Sequence, residues 1–115
     1  MEYPKRGEIY LVRFPNQPRD QKARPALVVS LDVRNRLAND VIVVPLSTTL
    51  RPSPTHVQLP AGQAGVERDS MAKCEQITTL DKSLLLKGPF AGQISPPLMR
   101  EVEKAVLRAI GIPVQ

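Results

Sequence analysis

Apolar residues along this chain fall into short runs, and the runs differ in kind. Gly7-Glu8-Ile9-Tyr10-Leu11-Val12-Arg13-Phe14 is β-rich and alternates, with Ile9 and Leu11 on one face and Tyr10, Val12 and Phe14 on the other. That is the two-residue period of a strand. Pro25–Ser30 and Val41–Val44 are continuous apolar runs, too short for helices and suited to strands covered on both sides. Thr55-His56-Val57-Gln58-Leu59 alternates strictly and predicts a half-buried strand on which His56 faces solvent. Ser70 to Leu80 mixes apolar residues with threonines and predicts one or two more strands. Proline and polar residues over 15–22 predict an exposed, mobile loop, and Arg51–Pro54 and Pro60–Gly65 read as turn and loop. Asp81 is placed to cap a short helical turn over Ser83 to Leu86, ended by Gly88-Pro89.

Only the C-terminal segment has helical spacing. Leu98, Met99, Val102, Ala105, Val106, Ala109 and Ile110 form one broad apolar stripe, with Arg100, Glu101, Glu103, Lys104 and Arg108 opposite. Ser95 is a good N-cap, Pro96-Pro97 sit where missing amide donors cost nothing, and Gly111 and Pro113 end the helix. Short strands at close spacing with one terminal helix laid on them define a mainly β fold: a small, strongly bent sheet or barrel.

Composition narrows the field. A chain of 115 residues with 42% apolar and 23% charged positions makes one compact domain, without repeats, linkers or low-complexity tracts. No stretch approaches the ~20 apolar residues of a membrane span and the N-terminus has no apolar signal region, so a cytoplasmic protein is expected. The lone cysteine, Cys74, rules out an internal disulfide, and with the lone histidine, His56, it makes a His/Cys metal cage implausible. No metal or cofactor is expected. Sixteen Lys and Arg against eleven Asp and Glu leave a formal charge of +5, most of it within residues 1–36. Such a surface suits a polyanion, although charge alone does not separate phosphate tracking from a solvated basic face.

Three stretches carry candidate chemistry. Arg24-Pro25 stands where a basic loop enters a buried strand, either as a surface arginine paired with a nearby acid or as an anchored position for a guanidinium fork that grips phosphate. Pro45-Leu46-Ser47-Thr48-Thr49 sets three hydroxyls after a buried run, either to satisfy turn backbone or to donate to a phosphate or oxyanion. Arg68 to Ile77 contains Glu75 and Gln76 in a β-like setting, either a wet sheet face or polar groups of the kind that read base edges. Cys74 shows no sign of activation and reads as a small buried hydrophobe.

In order and spacing, these stretches resemble the MazF/PemK (Kid-like) toxins of toxin–antitoxin systems. The likeness starts at Lys5-Arg6-Gly7-Glu8-Ile9-Tyr10 and runs through Arg24–Ser30, Val43–Thr48, Thr55–Leu59, Glu67–Ser70 and Glu75–Lys82, nearly the whole chain. The resemblance implies an SH3-like β-barrel of the type shared with the gyrase poison CcdB, and a homodimer. It implies a metal-independent endoribonuclease toxin that cuts single-stranded RNA at a short preferred sequence. The products would be 2′,3′-cyclic phosphate and 5′-hydroxyl ends. It maps the catalytic arginine to Arg24. The catalytic threonine maps to Ser47, with Thr48 adjacent; serine keeps the hydroxyl and loses the methyl that restrains its rotamer. Arg19, Asp20, Gln21, Ser70, Glu75 and Gln76 are the RNA-binding candidates, with Asp20 and Gln21 in the loop where the family has an acid and a glutamine. The expected partners are single-stranded RNA and an acidic, MazE-like antitoxin that occupies the basic groove. The alternative, from another class, is a non-enzymatic CcdB-like toxin that binds gyrase with the same barrel.

Overall fold

The computed structural model describes residues 2–15 and 22–115, and within them the chain folds as seven strands and two helices. They follow in the order β1 (Ile9–Val12), β2 (Arg24–Val28), α1 (Asp32–Leu37), β3 (Asp40–Ser47), β4 (His56–Leu59), β5 (Ser70–Lys73), β6 (Thr78–Asp81), β7 (Leu85–Lys87) and α2 (Pro96–Ala109). Every strand pairing is antiparallel, and the strands run β4-β5-β3-β2-β1-β7 across one sheet.

β3 organises the bend. One edge takes β2, with Leu27 opposite Val44. The other edge takes two strands in tandem: β6 along Asp40–Val43 and β5 at Leu46 and Ser47. The chain must turn a corner between those two partners, and it does so in a 3₁₀ turn at Cys74–Gln76, closed by the Ile77 amide on the Cys74 carbonyl. The sheet so bent is of the small-barrel type, open at its outer strands.

The alternation seen in the sequence becomes two apolar layers. Ile9, Leu27, Val44, Leu46, Leu59 and Ala72 lie under α2, which contributes Met99, Val102 and Ala105. Tyr10, Val12, Ala26, Val28, Val41, Val43 and Leu80 form the layer on the other face. β1 and β2 therefore feed both layers, as continuous apolar runs do when neither face is wet. The α2 cap is as expected: Ser95 Oγ accepts from the Leu98 amide, and both prolines occupy the first turn. Ser95→Ala should lower unfolding free energy by about 1 kcal/mol in chemical denaturation.

Three local expectations are corrected. Asp81 does cap a helical turn, accepting from the Ser83 amide at 2.8 Å. That turn covers only Lys82–Leu84, because the next residues are drawn into β7 along the free edge of β1. Gly88 then carries the chain away at φ +138°, where a Cβ would stand 2.7 Å from the Tyr10 ring. Second, α1 is a helix that no apolar stripe announced; it is held by buried Asn35, whose amide donates to the Ser30 carbonyl at 2.9 Å. Third, Ile110 leaves the stripe and is 62% exposed, because the helix ends at Ala109 and its side chain lies past the last packed turn.

Candidate active site

Proline restricts the residue before it to extended backbone, so Arg24-Pro25 starts β2 with Arg24 already in strand geometry. The β2–β3 register sets Ala26 opposite Pro45. Continued by two residues, antiparallel pairing sets Arg24 level with Ser47, the last residue of β3. Both line one cleft of about 440 Å³, together with Phe14, Lys73, Gln76 and Thr78. Ser47 Oγ accepts the Thr49 amide at 3.1 Å. That bond holds the rotamer that a threonine methyl would otherwise restrain, and the hydroxyl proton is still there to give.

The two hydroxyls open into different clefts. Ser47 pairs with Met71, and two residues along β5, Lys73 pairs with His56, so Arg24, Ser47, Lys73 and His56 share a face of the sheet. Thr48, one residue past the end of β3, lines a second, larger groove of about 890 Å³ with Pro25, Arg68, Ser70, Lys87 and Phe90. Ser70 is buried there, and its hydroxyl donates to the Arg68 carbonyl at 3.0 Å.

Glu75 and Gln76 sit in the 3₁₀ turn rather than in a strand, because β5 and β6 part company at that point. The turn sends them in different directions. Gln76 enters the cleft, while the Glu75 carboxylate accepts from Thr55 Oγ1 at 2.8 Å and from the His56 ring at 3.1 Å. Burial opposes ionisation of Glu75, but the hydrogen bonds from Thr55, its own backbone amide and His56 outweigh it and hold the carboxyl below the usual carboxylate range. The expectation that His56 faces solvent is overturned, since its side chain is only 9% exposed, wedged between Glu75 and the Arg51 carbonyl.

Cys74 is fully buried, and burial, then the neighbouring Glu75 charge, pushes its thiol up to about 12. Iodoacetamide at pH 8 should therefore leave the folded protein unlabelled and label it rapidly in denaturant, as intact mass will report.

The basic surplus is partly spent inside the fold: Arg6 pairs with Glu103, and Arg34 with Asp40 at 2.6 Å. Arg19, Asp20 and Gln21 lie outside the described residues. Lys73 is the cleft residue that the sequence reading missed. Its signal is a lone charge in Ser70-Met71-Ala72-Lys73, where parity with Met71 sets it on the cleft face. Among the described residues, no three His, Cys, Asp or Glu side chains converge as a metal site, and no helix is long and apolar enough to cross a membrane.

The fold is a half-open β-barrel capped by a C-terminal helix, and sequence comparison gives its class. The chain belongs to the PemK-like, MazF-like toxins of type II toxin–antitoxin systems, whose family model matches residues 5–110. It is 32% identical over 113 residues to "Endoribonuclease MazF4" of Mycobacterium tuberculosis, covering 98% of each chain. It is 35% identical over 85 residues to "Endoribonuclease EndoA" of Bacillus subtilis, covering 70% of this chain and 73% of that one. A mycobacterial endoribonuclease solved in complex with its cognate antitoxin superposes with a TM-score of 0.81 at 30% identity, covering 97% of this chain and 99% of that one.

Proposed function

We propose that this toxin is an endoribonuclease that cuts single-stranded RNA within a short preferred sequence, without a metal ion, as a homodimer restrained by an acidic MazE-like antitoxin. The observation that carries the reading is the meeting of Arg24 and Ser47 in one cleft, with Lys73 beside them. RNA brings its own nucleophile, the 2′-hydroxyl next to the scissile phosphate. Its oxygen bonds to phosphorus as the bond to the 5′-oxygen breaks; the 2′ proton leaves to a base and the departing oxygen takes one up. The products are a 2′,3′-cyclic phosphate and a 5′-hydroxyl.

Charge gathers on the non-bridging oxygens during that exchange. A guanidinium has donors and no acceptor, so Arg24 serves as a two-pronged donor to those oxygens and not as the base. The Ser47 hydroxyl donates beside it, and the Lys73 ammonium adds a second cation. These fixed donors take the electrostatic role that a metal would fill. Gln76 offers both an amide donor and an acceptor to a base edge. Arg19, Asp20 and Gln21, in the segment that leads to Arg24, and Ser70 in the second groove are proposed as further RNA contacts.

The names of the relatives support the activity, and the solved mycobacterial complex supports the antitoxin. The test is incubation of purified protein with a long end-labelled RNA in excess EDTA. Cuts at a recurring short sequence, with cyclic-phosphate ends, are expected. RNA left intact with and without added Mg²⁺ would overturn the nuclease reading, and cleavage only with Mg²⁺ would overturn its metal independence.

A further inference from the structure

Beside the cleft lies a polar cluster that the cleavage chemistry does not use. The buried His56 ring has Nδ1 2.7 Å from the Arg51 carbonyl oxygen and Nε2 3.1 Å from the Glu75 carboxylate. Both neighbours are acceptors. A neutral imidazole carries one N–H and satisfies one of them; only the imidazolium satisfies both. Thr55 braces the same carboxylate from the other side, and the Cys74 amide donates to the Thr55 carbonyl at 2.9 Å. The turn that delivers Gln76 to the cleft is thus tied to Thr55, just before β4, and to His56, its first residue.

We propose that His56 is a positioning residue: bridged between the Arg51 carbonyl and the Glu75 carboxylate, its ring holds Glu75, and through it the Cys74–Gln76 turn, against the cleft. The clamp stands on geometry alone, and its consequence for RNA rests on the nuclease reading.

Several charges surround the ring. Lys73 sits opposite it across β4 and β5, Arg51 supplies the carbonyl from the preceding turn, and Arg108 of α2 donates to the Pro54 carbonyl at 3.3 Å. Glu75 is the anion that faces it. Loosening the clamp therefore weakens RNA binding through Gln76, whereas kcat, set by Arg24 and Ser47, does not follow it.

The experiment is steady-state cleavage of a short RNA bearing the cut site. His56→Gln, which offers one donor nitrogen in place of two, should show KM raised roughly five- to tenfold with kcat within twofold. Thr55→Val, nearly isosteric, should raise KM about threefold. A His56→Gln enzyme with the KM of wild type, or one that loses kcat alone, would overturn the proposal.

A cleavage-independent readout separates this inference from the nuclease reading. In ¹⁵N spectra of the free protein, His56→Gln should move the backbone amide signals of Cys74, Glu75 and Gln76 and leave those of β1 and β2 in place. Turn amides that stay still would refute the clamp even in an active enzyme. Shifts confined to the turn in a protein that cuts no RNA would keep the clamp and remove the nuclease.

Discussion

Arg24→Ala abolishes measurable RNA cleavage, with kcat reduced by roughly 10²–10³-fold or more, while the barrel stays folded. The magnitude follows from the loss of a fixed donor to a developing oxyanion in a partly enclosed site, roughly 3–4 kcal/mol. The fold survives because Arg24 is the half-buried first residue of β2, outside both apolar layers. Arg24→Lys keeps the charge and loses the planar fork, so it should recover only a small part of the rate. Multiple-turnover cleavage of a defined RNA, with circular dichroism and thermal unfolding on the same preparations, checks both halves. A clean Arg24→Ala protein that cuts at the wild-type rate would remove Arg24 from the chemistry.

The second large effect separates two adjacent hydroxyls. Ser47→Ala should lower kcat by about 10²-fold, because the donor beside Arg24 is gone. Thr48→Ala should leave kcat within a few-fold, since Thr48 lines the larger groove with Ser70 and Arg68. Ser47→Thr restores a rotamer-restraining methyl without moving the oxygen and should keep or raise the rate. The reverse ranking, a silent Ser47→Ala and a crippling Thr48→Ala, would relocate the chemistry to the larger groove. Single-turnover rates at saturating enzyme distinguish these outcomes from changes in RNA affinity.

Much of this arrangement could be read from the residues. Ile9–Phe14, Pro25–Ser30 and Val41–Val44 declared themselves as strands by period and β-branching, and Ser95, Pro96 and Gly111 bounded α2, since local chemistry decides those features. The features missed are those that distant partners decide. β7 exists because β1 had an open edge, and nothing in Leu85-Leu86-Lys87 distinguishes it from the end of a turn. α1 rests on Asn35 gripping Ser30, a pair with no periodic signature. Among the candidate residues, Arg24 and Ser47 could be named from the sequence, but that they line one cleft depended on the β2–β3 register, and that Thr48 lines a different groove depended on how the chain leaves β3. His56 was misread for a similar reason. Alternation turned it away from the α2 layer, and only the corner at Cys74–Gln76 brought Glu75 round to cover it.

The most direct measurement is a crystal structure of this protein with a single-stranded RNA carrying 2′-deoxyribose at the cut position, which removes the nucleophile and leaves the phosphate. The prediction is that this one phosphate lies within hydrogen-bonding reach of both the Arg24 guanidinium and the Ser47 hydroxyl, with the Lys73 ammonium nearby. A scissile phosphate seated instead beside Thr48, Ser70 and Arg68, with Arg24 touching no RNA oxygen, would contradict the account at its centre.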